Sequence, residues 1–156
     1  MKTIFLALLV CIKLYSQDVD FLKSQDTLYI VFTTPKNLVS EKFKGFSIKY
    51  VTSKYKNEYY ISDSIRGQIY IQTENDYDHD RNTKNLLCNR RKFLKENQNK
   101  IITMDFIQQH GVAKVFIDIL RGNKKKTVYL IDKRSLKKRK IVLKKAAIAA
   151  VGYEEL

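Results

Sequence analysis

The chain has 156 residues, 44% of them apolar and 29% charged, with 30 Lys/Arg against 16 Asp/Glu and a formal net charge of +14. That apolar content, with 10 Tyr and 8 Phe, excludes an intrinsically disordered chain, and the length suits one domain able to bury a core without disulfides. The positive charge is uneven: residues 18–83 carry 9 Lys/Arg and 10 Asp/Glu, whereas residues 84–156 carry 19 and 6.

Lys2, an apolar run from Ile4 to Ile12, and Lys13-Leu14-Tyr15-Ser16-Gln17 have the order of a secretory signal. The run falls well short of the roughly 20 apolar residues that span a bilayer, and no later stretch reaches that length. The reading is therefore a signal peptide over residues 1–17, cleaved after Ser16 or Gln17, followed by a single basic domain over 18–156. Such a protein is secreted or periplasmic. Cys88 is then the one cysteine of the mature chain, so an intramolecular disulfide is ruled out and a buried thiol is expected.

Thr27 to Thr33 is a β-branched and aromatic run that predicts a buried strand. Phe46, Ile48 and Tyr50 alternate with Ser47 and Lys49, which predicts a half-exposed strand after Gly45. Residues 58–62 and 68–72 predict a hairpin around the turn residues 63–67. Residues 85–99 are read as a helix. Thr103 is placed to cap a short helix stopped by Gly111. Val112, Val115, Phe116, Ile119 and Leu120 recur at the spacing of one buried helical face. Thr127 to Ile131 and Ile141 to Leu143 predict a second hairpin, with residues 144–151 open between strand and helix. Strands, then helices, then strands imply a single compact α+β domain, a mostly antiparallel sheet with two or three helices on one face.

The leader ending Leu14-Tyr15-Ser16-Gln17-Asp18, with Asp26 to Phe32 and Thr127 to Asp132, resembles small uncharacterised exported proteins of the Bacteroidota. The resemblance implies a lineage and no function.

Asp76, Asp78, Asp80 and Asn82 match the first, third, fifth and seventh positions of a calcium loop. Arg81 stands where glycine makes the turn and Leu87 where a bidentate glutamate belongs, so the segment reads as a solvated acidic loop. Cys88, His79 and His110 lack zinc-ligand spacing, and no nucleophile, phosphate or dinucleotide motif occurs. No metal and no cofactor is implied.

From Arg121 to Lys145 there are 12 Lys/Arg and one acid, Asp132. The candidate polyanion-binding residues are Lys124, Lys125 and Lys126 at one end of the second hairpin; Lys133, Arg134, Lys137, Lys138, Arg139 and Lys140 at its turn; and Lys144 and Lys145 beyond. Most are lysines, point charges suited to general attraction more than to bidentate reading. The function expected is a non-enzymatic exported binding domain acting on an anionic lipid headgroup, polysaccharide, acidic protein or extracellular nucleic acid. Export argues against genomic DNA. A small secreted hydrolase and an inhibitor or immunity-type protein are the alternatives.

Overall fold

The computed structural model describes residues 18–32, 40–53, 56–63, 67–74, 85–122 and 125–151. A short helix, α1 (Val19–Ser24), begins where the Asp18 carboxylate accepts the Asp20 N–H at 2.9 Å. Strand β1 (Thr27–Phe32) follows. Strands β2 (Ser40–Phe43) and β3 (Phe46–Thr52) make a hairpin whose turn needs Gly45, since its φ of +85° is one that side chains resist. Strands β4 (Lys56–Asp63) and β5 (Gly67–Glu74) form the hairpin expected around residues 63–67.

The reading of residues 85–99 as one helix is corrected. Strand β6 (Leu86–Asn89) comes first, and helix α2 (Arg90–Asn97) starts only after it. Asn89 sets that boundary, because its side chain accepts the Lys92 N–H at 3.2 Å as an N-cap. A 3-10 turn (Gln98–Lys100) leads into the two-residue strand β7 (Ile101–Ile102). Helix α3 (Met104–His110) is capped by Thr103, which accepts the Phe106 N–H at 3.2 Å, and it stops at Gly111. Helix α4 (Lys114–Arg121) has the wider i→i+5 winding, and the Gly122 N–H closes it on the Ile117 carbonyl at 2.9 Å. Strand β8 (Thr127–Asp132), a 3-10 turn (Lys133–Lys137) and the long strand β9 (Lys140–Val151) complete the chain.

The strand order is β2-β3-β4-β5-β9-β8-β1-β7, with β6 paired to the start of β9. The expected pairing of 127–131 with 141–143 is displaced. Residues 140–143 pair with β6, Lys144 to Ala146 pair with β8, and residues 146–151 pair with β5. One strand therefore joins three partners, and the Ala-rich segment is strand because β8 pairs its start and β5 pairs it from Ala146 to Val151.

The expected fold class is overturned. The molecule is a nine-strand sheet curled into a half-barrel with a few short helices, in place of a mostly antiparallel sheet with helices on one face. The sheet is mixed, since β1 runs parallel to both β7 and β8. In a flat sheet β1 and β4 would lie four strand spacings, about 19 Å, apart. The Phe32 and Tyr59 rings from those strands stack at 4.9 Å, which the curl alone permits.

The concave face holds the main core, where Leu28, Ile30, Ile48, Ile61, Ile69 and Ile71 meet Leu22 of α1, Phe106 and Ile107 of α3, and Val115, Phe116 and Ile119 of α4. A second core covers the other side of β1. There Tyr29, Val31, Ile131, Ile141 and Leu143 pack with Phe93 of α2, the Tyr29 and Phe93 rings edge-on at 4.8 Å. Helices thus cover both faces of β1, which is why helices on one face cannot hold: Leu28 to Phe32 are all buried, whichever way they point.

Buried polar groups gather near the ends of β3, β4 and β5. The Tyr50 and Thr52 hydroxyls both donate to Asn57 Oδ1, each at 2.8 Å. Thr73, opposite Asn57 in register and 1% exposed, has no hydrogen-bond partner for its Oγ1 among the described residues. A buried hydroxyl left unsatisfied costs roughly 1–3 kcal/mol. Thr73→Val keeps the shape and removes that cost, so it is expected to raise stability by about 1 kcal/mol. The urea midpoint measures this, and an unchanged or lower midpoint would show that the hydroxyl is satisfied.

Candidate functional site

Asp132 organises the turn after β8. Its carboxylate accepts the Arg134 N–H at 2.8 Å and pairs with the Arg134 guanidinium at 2.6 Å, while the Ser135 hydroxyl donates to the Asp132 carbonyl at 2.7 Å. Ser135 is buried and Leu136 packs against the second core, so Lys133, Arg134, Lys137, Lys138, Arg139 and Lys140 are all exposed. The turn therefore presents this part of the sequence-predicted set together. Arg134 is the member whose charge is already paired within the turn.

Three cations missing from the sequence-predicted set join them. The Asn89↔Lys140 pairing of β6 with β9, and an Arg90 N–H to Arg139 carbonyl bond of 3.1 Å, fix the start of α2 beside the start of β9. Arg90, Arg91 and Lys92 are exposed there. The sequence signal was the Arg90-Arg91-Lys92 run itself, but only the long-range ladder puts it against Arg139 and Lys140.

The other predicted residues do not join this edge. Lys125 and Lys126 lie at the opposite end of β8, five residue rises or about 17 Å away, beyond the roughly 8 Å over which salt leaves exposed charges coupled. Lys126 also has a structural task. Its ammonium donates to the carbonyls of Lys23 at 2.5 Å and Gln25 at 2.6 Å, closing the C-terminal end of α1. Lys126→Met removes these charge-assisted bonds while keeping the side-chain stem. It is expected to cost about 2 kcal/mol, read as a fall in thermal midpoint of several degrees. An unchanged midpoint would show that the contacts contribute nothing.

Lys144 is half-buried and Lys145 exposed, and as neighbours on β9 they point to opposite faces of the sheet. No single partner meets both face-on. Lys124, the leader 1–17 and the acidic segment 75–84 with His79 lie outside the described residues.

Among the described residues, the other chemically capable groups form no catalytic arrangement. Cys88 is half-buried on β6, not on a helix, and packs against the second core. His110 lies tilted against Phe106 with ring centroids 4.3 Å apart, and Phe106 belongs to the main core on the opposite face of the sheet. Among the described residues, no group of three or more His, Cys, Asp or Glu side chains is placed to hold a metal ion.

One titratable network lies on the outward face of β4 and β5. Glu58 accepts from the Tyr70 hydroxyl at 2.6 Å and pairs with Lys56, while the Tyr60 and Tyr70 rings lie 5.1 Å apart. The bond from Lys56, then that from Tyr70, holds the Glu58 carboxyl below its usual range. Burial, then the bond to Glu58, pushes Tyr70 up to about 12. Both groups move away from neutrality, which is unsuited to general acid–base work and suited to holding two strands together.

A depressed carboxylate contributes stability above its unfolded pKa of about 4.3 and loses it as pH falls through the lower folded value. The wild type should thus be more stable than Glu58→Gln at pH 7, with the gap narrowing below about pH 4.3. A gap in thermal midpoint that stays constant down to pH 3 would contradict this linkage.

Against known protein families, curated proteins and solved structures, the chain has no significant match.

Proposed function

We propose that the protein is an exported, non-enzymatic binding domain whose basic edge engages an anionic partner. The observation that supports this best is the gathering of exposed cations from two distant segments, Arg90 to Lys92 and Lys137 to Lys140, along one short rim. Like charges held this close repel one another, and an anionic surface or polymer relieves that repulsion while releasing its own counterions. Their setting on an ordered turn and a paired strand start keeps the rim intact when the partner arrives. Lysine and arginine on such a rim favour density of charge over recognition of one sequence or sugar. The outward shifts of Glu58 and Tyr70 supply no acid or base poised near neutral pH, so the hydrolase alternative gains no support from that network.

Heparin, a soluble polyanion of high charge density, tests this directly. The mature domain is expected to be retained on immobilised heparin at about 50 mM salt and released as salt rises. Passage without retention at that salt would overturn the proposal.

A further inference from the structure

The junction between leader and domain has a chemistry of its own. Among the described residues no helix is long and apolar enough to cross a membrane, which leaves the apolar run before Gln17 as the segment addressed to one. Cutting after Ser16 leaves a small residue at the end of the leader, whereas cutting after Gln17 leaves a large amide there, against the small-residue rule. The fold favours the same bond. Helix α1 starts directly after the exposed Asp18, whose carboxylate is its N-cap and accepts the Asp20 N–H at 2.9 Å. The Asp18 carbonyl accepts the Leu22 N–H at 3.0 Å. A cut after Gln17 would put the new ammonium on Asp18 itself, where it competes with the Asp20 N–H for that carboxylate. A cut after Ser16 keeps one residue between the new terminus and the cap.

We infer that the mature chain begins at Gln17 and that this residue closes to pyroglutamate, a covalent modification site at the first position of the released domain. The inference rests on the proposed export, because only removal of the leader frees the Gln17 amine. The amine nitrogen attacks the side-chain carboxamide carbon of the same residue. A nitrogen–carbon bond forms, closing a lactam ring, and the carboxamide nitrogen leaves as ammonia. Nothing is oxidised or reduced, and no co-reactant is consumed. A terminal amine has an ordinary pKa of about 7.7–8.0, so its unprotonated, nucleophilic form is present near neutral pH. Nucleophile and acyl group belong to one residue, which gives the attack the advantage of an intramolecular reaction.

The ring leaves the capping groups of α1 untouched, since they belong to Asp18. It removes the primary amine that an aminopeptidase needs. What this protects lies further along the helix. Leu22 is fully buried in the main core, and the Lys126 ammonium holds the carbonyls of Lys23 and Gln25. Trimming from a free amine would remove first the cap and then the turn that carries Leu22.

The test is the mass of the protein recovered from outside the cytoplasm of cells that make it from the full chain. The expected mass is that of residues 17–156 less one ammonia, with fragmentation of the tryptic peptide 17–23 placing the loss on Gln17. The Gln17→Ala variant should be cut at the same bond and lose its first residue to an aminopeptidase that leaves the wild type intact. A start at any residue other than Gln17, a Gln17 that keeps its ammonia, or a wild type trimmed as readily as the variant would overturn the inference and leave export standing. Protein that still carries residues 1–17 would overturn both.

Discussion

Replacing Val115 and Phe116 together with aspartate is expected to unfold the protein. Both side chains belong to the main core, Val115 at 0% and Phe116 at 1% exposure, in the helix that fills the hollow of the curled sheet. Truncating a buried phenylalanine alone costs about 3–5 kcal/mol, and an unpaired carboxylate in the same place adds a further desolvation penalty. The total stability of a domain this size is about 5–15 kcal/mol, so the pair consumes most or all of it. The expected result is loss of the near-ultraviolet circular dichroism and of a cooperative melt. Phe116→Leu keeps an apolar group there and should cost only about 1–2 kcal/mol, with the melt still cooperative. A cooperative melt in the double aspartate variant would mean that α4 does not fill the half-barrel.

The opposite pattern is expected at the rim. Neutralising Lys137, Lys138, Arg139 and Lys140 to glutamine should leave the fold intact, because each side chain is exposed and such substitutions shift stability by about 0.5 kcal/mol or less. Binding is another matter. If all four cations contact a single-stranded oligonucleotide, their counterion release is worth roughly several hundredfold in affinity at about 0.1 M salt relative to about 1 M. Neutralising Lys125 should change affinity far less, because it lies at the other end of β8, beyond the screening length. Equal losses from the two sites would replace a localised rim with a diffuse positive surface.

The difference between these two regions tracks what the sequence makes legible. The α4 face was readable because Val112, Val115, Phe116, Ile119 and Leu120 recur locally, although nothing in that spacing announces its wide winding. Strand β1 was readable as a strand, yet its run Leu28-Tyr29-Ile30-Val31-Phe32 carried a second message. An unbroken apolar run is the pattern of a strand covered on both faces, and that message contradicts helices on one face. Residues 86–89 read as helix because the apolar residues on both sides of Asn89 suit one continuous helix, while Asn89 caps a helix that begins only after it. The Ala-rich end of β9 stayed open because alanine favours a helix locally, and it is strand through pairing with β5 and β8, far away in sequence.

The candidate surface divides in the same way. The exposed cations of the turn after β8 were legible as a charged run between two apolar stretches. That Lys126 serves α1 was not, since its carbonyl partners lie some hundred residues earlier in the chain. That Arg90 to Lys92 stand beside Arg139 follows from the β6–β9 ladder, which no local pattern encodes.

The most direct measurement is the salt dependence of binding to a labelled single-stranded oligonucleotide, a defined polyanion, for the wild type and the four-residue neutralised variant. The logarithm of the association constant should fall linearly with the logarithm of salt in both, and the variant's slope should be shallower by up to about 3, near 0.7 for each lost contact. Two parallel lines, or a wild type whose binding ignores salt, would contradict a basic edge that binds by charge.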